Sequence, residues 1–119
     1  MSKRAIENYI PKAIEILKNE FSDGEIPSSY NGYISAFGAS VIQSGLKPTL
    51  ALYENKNAST KEDKSMLTKL ILNILDEQSS QESLLYYVLS SNKNETLLKQ
   101  HILDIAVAIK LSIRTFKLV

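Results

Sequence analysis

The chain has 119 residues, of which 44% are hydrophobic, with 14 basic and 13 acidic side chains and a formal net charge of +1. This length suits a single domain over residues 1–119, and the hydrophobic fraction can fill a core. Cysteine is absent, which excludes disulfides, thiolate metal ligands and cysteine nucleophiles. Because the net charge is small, any attraction to nucleic acid must come from the distribution of the basic residues.

No feature of the sequence predicts export or membrane insertion. Residues 1–4 are basic but lead into Glu7 and Asn8, not into the apolar core of a signal peptide. No run of about 18 apolar residues, as a membrane-spanning helix requires, is present. We therefore expect a cytoplasmic protein without a membrane partner.

Apolar residues recur at helical spacing in the first half of the chain. The stripe over residues 5–21 predicts one helix that kinks at Pro11, or two stacked segments. A second stripe predicts a helix over residues 28–45. Gly32 and Gly38 lie inside it and each costs about 1 kcal/mol relative to alanine. We expect these glycines to allow close backbone approach to a neighbouring helix or to a partner.

The second half of the chain predicts four further helices. Residues 48–55 form a short one, Ser59-x-x-Glu62 resembles a capping box that opens the next, and residues 84–89 form a fifth. The last helix, over residues 95–117, is apolar nearly all round, which is typical of a central or interface helix. No segment alternates with period two, so we expect no sheet. The predicted fold is all-α, a single bundle of five to six helices around the C-terminal one.

Four basic residues of the last helix fall on one line at about 100° per residue: Lys99, Lys110, Arg114 and Lys117. From residue 96 onward only Asp104 opposes them. Cations spaced by helical turns can each meet a phosphate of a nucleic-acid backbone. The alternative is a solvated edge, which the preference for cations near a helix C-terminus also favours.

The aromatic residues allow two interpretations. The second and third predicted helices carry Tyr30, Tyr33, Phe37 and Tyr53. Such side chains can stack on bases in single-strand binders, but their helical spacing favours packing in the core. Of Tyr86 and Tyr87, we expect one to face outward.

The sequence contains no recognisable catalytic set. His101 is the only histidine, and Asp104 lies one turn away. Such a pair can share a proton or bind a metal, but it makes neither a closed metal site nor a catalytic centre. We expect no enzyme activity, cofactor, metal or small-molecule substrate.

Three stretches resemble one known family. They are K-R-A-I-E-N-Y-I-P-K-A at residues 3–13, the glycine-rich stretch Y-N-G-Y-I-S-A-F-G-A-S-V-I-Q-S-G-L-K-P-T-L-A-L-Y at 30–53, and A-I-K-L-S-I-R-T-F-K-L-V at 108–119. They resemble the small α-helical subunit of the type III-B CRISPR effector, the Cmr complex. The resemblance covers residues 3–53 and 97–119, and Lys47 departs from the apolar residue expected at its position.

This resemblance implies a helical bundle that stacks with copies of itself beside other Cmr subunits and lines the groove for guide RNA and target RNA. The cutting residues of such complexes belong to other subunits. The target sequence is recognised by base pairing with the guide RNA, so a subunit of this kind would contact the RNA backbone. The candidate contacts are Lys3, Arg4, Lys47, Lys110, Arg114 and Lys117.

Two alternatives remain open. The chain could be a purely structural adaptor whose charges only keep it soluble. It could also bind duplex DNA through the second and third helices around Gly45, although P-T-L-A-L-Y-E-N offers few side chains that read bases.

Overall fold

The computed structural model describes residues 3–55 and 62–119. Within them the elements are α1 (Lys3–Glu20), β1 (Glu25–Ile26), α2 (Ser29–Ser44), α3 (Leu46–Tyr53), α4 (Ser65–Leu75), α5 (Leu84–Ser90), α6 (Glu95–Ile113) and β2 (Lys117–Leu118). The predicted all-α bundle of five to six helices is confirmed.

Helix α6 is the centre of the bundle, as predicted. It packs against α1, α2 and α4, and nine of its 19 residues are buried. Its N-terminus is capped by Asn94, whose side-chain oxygen accepts hydrogen bonds from the backbone N–H groups of Thr96 and Leu97 at 2.8 and 3.3 Å. Such a cap satisfies donors that the first turn leaves without partners.

Helices α1 and α6 run in the same direction. The Tyr9 hydroxyl lies 3.5 Å from Nδ1 of His101, and beyond the two helices the N–H of Lys117 donates to the carbonyl of Gly24 at 3.1 Å. Pro11 lies within one continuous α1. Lys3 is therefore at the opposite end of the bundle from Lys117.

Helix α2 runs against α6. Before α2 begins, the N–H of Ser28 donates to the carbonyl of Val119 at 2.9 Å. Beyond its C-terminal end, Nζ of Lys47 lies 3.1 Å from a carboxylate oxygen of Glu95. The two helices therefore lie side by side over most of their lengths.

The expectation of no sheet was wrong, because β1 and β2 form a small parallel pair. Glu25 lies opposite Lys117, and Ile26 lies opposite Leu118. The N–H of Val119 continues the pairing by donating to the carbonyl of Ile26 at 2.9 Å. Each strand has only two residues, too few for an alternating pattern to appear in the sequence.

The last helix was predicted to reach residue 117 but ends at Ile113. Hydroxyl groups accumulate at this end: Ser112 Oγ donates to the carbonyl of Ala108, and Thr115 Oγ1 donates to that of Ser112, both at 2.7 Å. Such side chains compete with the helix for backbone acceptors. The backbone tightens as the N–H of Phe116 donates to the carbonyl of Ile113 at 3.0 Å.

Two other helix starts differ from the prediction. Helix α4 begins at Ser65, where Oδ1 of Asp63 accepts hydrogen bonds from both the N–H and the hydroxyl of Ser65 at 2.9 and 2.6 Å. Ser59, the first residue of the predicted capping box, lies outside the described residues. Helix α3 begins at Leu46, before Pro48, because Gly45 turns the chain sharply with φ of 101°.

The apolar face of α2 packs as predicted except at one position. Tyr30, Phe37 and, from α3, Tyr53 are buried in the core. Ile42, which the apolar stripe over residues 28–45 would place on this face, is 70% exposed. Tyr87 is buried and Tyr86 is exposed, so one of this pair faces outward, as predicted.

The two glycines of α2 do not serve close packing inside the chain. A Cβ atom built on Gly32 or on Gly38 meets no described atom within 4 Å. The expected close approach to a neighbouring helix was therefore wrong, and both positions open onto free space.

Candidate nucleic-acid interface

A groove of about 400 Å³ lies between α2 and α6. Its described lining residues are Ile34, Ser35, Gly38, Ile42, Lys99, Gln100, Leu103, Ala106, Val107 and Lys110. We call this the α2–α6 groove. None of these residues is acidic, and two of them are lysines.

The two lysines lie on the same line of α6. Lys99 and Lys110 are eleven residues apart, which is close to three turns and about 16 Å along the axis. Neither takes part in a salt bridge between described residues. Both ammonium groups can therefore meet an anion outside the chain.

The floor between the lysines is apolar. Leu103, Ala106 and Val107 of α6 form one side, and Gly38 and Ile42 of α2 form the other. Gly38 leaves the floor open because it has no side chain. An anion that lies across both lysines would therefore cover hydrocarbon surface.

Arg114 extends the cationic line of α6, but Lys117 does not. Arg114 is exposed and caps the helix four residues after Lys110. Lys117 lies beyond the helix end in β2, where Glu25 is its strand partner. It also shares a surface depression with Lys18 and Asp23. Lys117 therefore lies away from the α6 line, near the strand pair and the end of α1.

The remaining predicted residues lie toward the other end of the bundle. Lys3 and Arg4 are exposed in the first turn of α1, which contains no acidic residue. Lys47 forms its salt bridge with Glu95 at 3.1 Å. The six candidates consequently do not converge on one surface. Lys99, which was on the predicted line but not among the six, lines the α2–α6 groove with Lys110.

One comparison with known proteins gives a match. The family model described as CRISPR-associated protein (Cas_Cmr5) matches residues 3–111. The chain belongs to the Cas_Cmr5 family. The resemblance read from the sequence is thereby confirmed. No curated protein and no solved structure matches the chain.

The match spans nearly the whole Cas_Cmr5 bundle. It includes Lys3, Arg4, Lys47 and both lysines of the α2–α6 groove, and it ends before Arg114 and Lys117. The groove is thus built entirely from residues within the family match, whereas the end of α6 and the β2 strand lie beyond it.

The pair His101 and Asp104 belongs to the contact between α1 and α6. Asp104 is buried, and its Oδ1 accepts a hydrogen bond from the Gln100 amide at 3.2 Å. The Tyr9 hydroxyl, close to His101, has its pKa raised by burial and, second, by the negative charge of Asp104. Asp104, the acid counted against the basic line of the last helix, therefore lies in the core and not on the exposed face.

Three tyrosines hold the chain as it enters α4. Tyr30 donates to the carbonyl of Asp63 at 3.1 Å, and Tyr53 donates to the carbonyl of Tyr33 at 2.7 Å. Nζ of Lys64 lies 5.0 and 5.1 Å from the ring centroids of Tyr33 and Tyr53. This cation–π arrangement was missed, because its partners are distant in sequence.

The described residues contain no group of three or more His, Asp or Glu side chains placed to hold a metal ion. No helix in the same residues has both the length and the apolar character for crossing a membrane.

Proposed function

We propose that this Cas_Cmr5 protein is a non-catalytic subunit of the type III-B Cmr complex and that it binds RNA backbone along the α6 side of the α2–α6 groove. The observation that carries the proposal is the pair Lys99 and Lys110, which border a groove lined by no acidic described residue. Membership of the Cas_Cmr5 family, described as CRISPR-associated, supports the proposal.

The expected contact is electrostatic and independent of sequence. Lys99, Lys110 and Arg114 present three positive charges along one edge of α6, and each can neutralise a phosphate and release counterions. Lys3 and Arg4 could provide a second contact at the other end of α1. Lys47 should contribute less because its charge is offset by Glu95, and Lys117 should contribute less because it lies off the α6 line, in β2.

The partners we propose are other Cmr subunits, copies of this chain, and the guide and target RNA, in the cytoplasm. In this arrangement base pairing between the two RNA strands reads sequence. The protein holds the backbone, and cutting is performed by other subunits.

The test is the salt dependence of RNA binding by the assembled complex. Replacing both groove lysines, Lys99→Gln with Lys110→Gln, should weaken binding. The slope of log K against log salt should become shallower by about 1.4 to 1.8, since each lost phosphate contact removes about 0.7 to 0.9.

The matched control neutralises two other exposed lysines, Lys69→Gln with Lys93→Gln. Lys69 lies on α4 and Lys93 precedes α6, and neither lines the α2–α6 groove. The control should leave the slope unchanged. If both double variants lose the same amount of RNA affinity, only the overall charge of the protein determines binding. If the salt slope is unchanged in both, Lys99 and Lys110 do not contact RNA.

A structural adaptor is the second candidate, and exposed apolar side chains on α3 and α5 support it. Leu52, Tyr86 and Leu89 are each more than half exposed, as a docking surface for protein would require. If the groove variants retain full RNA affinity while Leu52→Ser with Leu89→Ser releases the subunit from the complex, the adaptor function is favoured.

A further inference from the structure

We infer that the α2–α6 groove takes an unpaired stretch of RNA, with phosphates on Lys99 and Lys110 and bases against the apolar floor between them. This inference rests on the proposed function and specifies the form of RNA that the site accepts, a stretch outside the base-paired guide–target region.

The spacing of the cations is the first argument. Lys99 and Lys110 are separated by about 16 Å along α6, much more than the roughly 3.4 Å rise between stacked nucleotides of one strand. A strand that reaches both ammonium groups therefore has several nucleotides between them. Those nucleotides lie above the groove.

The chemistry of the floor is the second argument. Leu103 and Val107 are partly exposed between the lysines, and Ile42 rises from α2 with 70% of its surface exposed. A purely electrostatic backbone site gains nothing from such a surface. The faces of unpaired bases do gain from it, because contact with hydrocarbon side chains removes apolar surface from water.

A duplex would not use this surface. In paired RNA the bases are stacked inside, and the helix presents phosphates and 2′-hydroxyls outward. Laid across Lys99 and Lys110, a duplex would cover the floor with polar groups. An unpaired strand can turn its bases inward and keep its phosphates on the cations.

The groove has room for this arrangement at Gly38. A Cβ at this position would meet no described atom within 4 Å. The groove volume of about 400 Å³ lies within the range of roughly 300–1,000 Å³ that is typical of small-ligand sites. The open glycine, which does not serve helix packing, thus leaves space for a base.

The experiment fills the groove without changing its charge. In the full chain, Gly38→Leu should keep or raise the melting temperature, since leucine is the better helix former and the site is open. Anisotropy with a fluorescent single-stranded oligouridylate should show affinity falling about fivefold, the effect of losing roughly 40 Å² of apolar contact between a base and the groove. The salt slope should stay as in the unmodified protein.

Gly32→Leu is the matched control, because Gly32 lies on the same helix, is equally open and does not line the groove. It should bind as the unmodified chain does. Ile42→Ser, a change at an exposed position, should weaken single-strand binding in the same direction as Gly38→Leu. The unmodified protein should bind an RNA duplex of the same length less tightly than the single strand.

Two binding results would overturn the inference: equal affinity of the unmodified protein for duplex and single-stranded RNA, or no effect of Gly38→Leu on single-strand affinity. A third result would also overturn it: the Gly38→Leu chain binds RNA with unchanged affinity but no longer joins the complex. That result would identify the groove as a protein interface. If Lys99→Gln with Lys110→Gln flattens the salt slope while Gly38→Leu has no effect, the proposed function stands without the inference. If neither variant has an effect, both are wrong.

Discussion

Tyr53 shows how one hydroxyl joins distant parts of the chain. Its ring packs edge-on against Phe37 with 5.2 Å between ring centroids, and its hydroxyl donates to the carbonyl of Tyr33 at 2.7 Å. Burial raises the pKa of Tyr53 to about 12. The pKa of Tyr30 is also raised to about 12, first by burial and then by Glu62 and Asp63.

These pKa values predict a loss of stability at alkaline pH. In the unfolded chain a tyrosine deprotonates at about pH 10, whereas in the folded protein Tyr30 and Tyr53 keep their protons to about pH 12. The folded state binds more protons in this window, so the stabilisation is present below pH 10 and is lost as the pH rises toward 12. Melting temperatures measured from pH 8 to 11.5 should fall above pH 10.

The variant Tyr53→Phe separates the hydrogen bond from the titration. At pH 8 it should lower the free energy of unfolding by about 0.5 to 1.5 kcal/mol, because the hydrogen bond from the Tyr53 hydroxyl to the Tyr33 carbonyl is lost. Its further loss above pH 10 should be smaller than that of the unmodified protein. Tyr86→Phe, at a residue that is 56% exposed, should leave stability at pH 8 unchanged, and an equal loss in both variants would contradict this account.

At the scale of single residues, the sequence predicted which aromatic side chains are buried but not which cations are paired. Helical spacing placed Tyr30, Phe37 and Tyr53 in the core, because burial follows a local period. The partner of Lys47 is Glu95, and Lys64 lies over two tyrosine rings. Such pairings join residues far apart in the sequence, and only the fold brings them together.

At the scale of elements, long helices were predictable and the short connections were not. The apolar stripes of α1, α2 and α6 repeat over at least four turns, which sets both the type and the approximate length of each helix. The β1–β2 pair has two residues on each strand and is held by long-range backbone hydrogen bonds. The residues that lead into β2 follow the early end of α6 at Ile113, so Lys117 does not lie on the predicted cationic line.

The strand pair leads to a prediction about Val119, whose N–H donates to the carbonyl of Ile26 at 2.9 Å. Val119→Pro removes this donor and should lower the free energy of unfolding by about 0.5 to 1.5 kcal/mol. Hydrogen exchange at Ser28, whose N–H donates to the carbonyl of Val119, should accelerate. Val119→Ala keeps the N–H, so hydrogen exchange at Ser28 should stay slow in this variant. Fast exchange at Ser28 would show that the Val119 side chain, and not its N–H, keeps β2 in place.

At the scale of the whole molecule, α6 couples the other helices into one core. It contacts α1, α2 and α4, and Ile102, Ile105 and Ile109 are completely buried along it. The apolar character of this helix on several sides indicated its central position before the structure did. The direction of α1 and the shape of the α2–α6 groove depend on packing between helices, which no single stripe specifies.

Truncating the centre of α6 should therefore destabilise the entire bundle. Ile105→Ala should lower the free energy of unfolding by about 2 to 5 kcal/mol, because it leaves a cavity in the core. Leu97→Ala, on the same helix but 57% exposed, should change it by no more than about 0.5 kcal/mol. Chemical denaturation followed by circular dichroism measures both, and similar small effects would contradict a central α6.

The parallel course of α1 and α6 has a consequence for attaching probes to the molecule. Lys3 and Val119 lie at opposite ends of a helix pair about 27 Å long, so a linker of fewer than about eight residues could not join them. A circularly permuted version would need a longer bridge. Fluorophores attached at Lys3 and at Val119 would therefore report on opposite ends of the bundle.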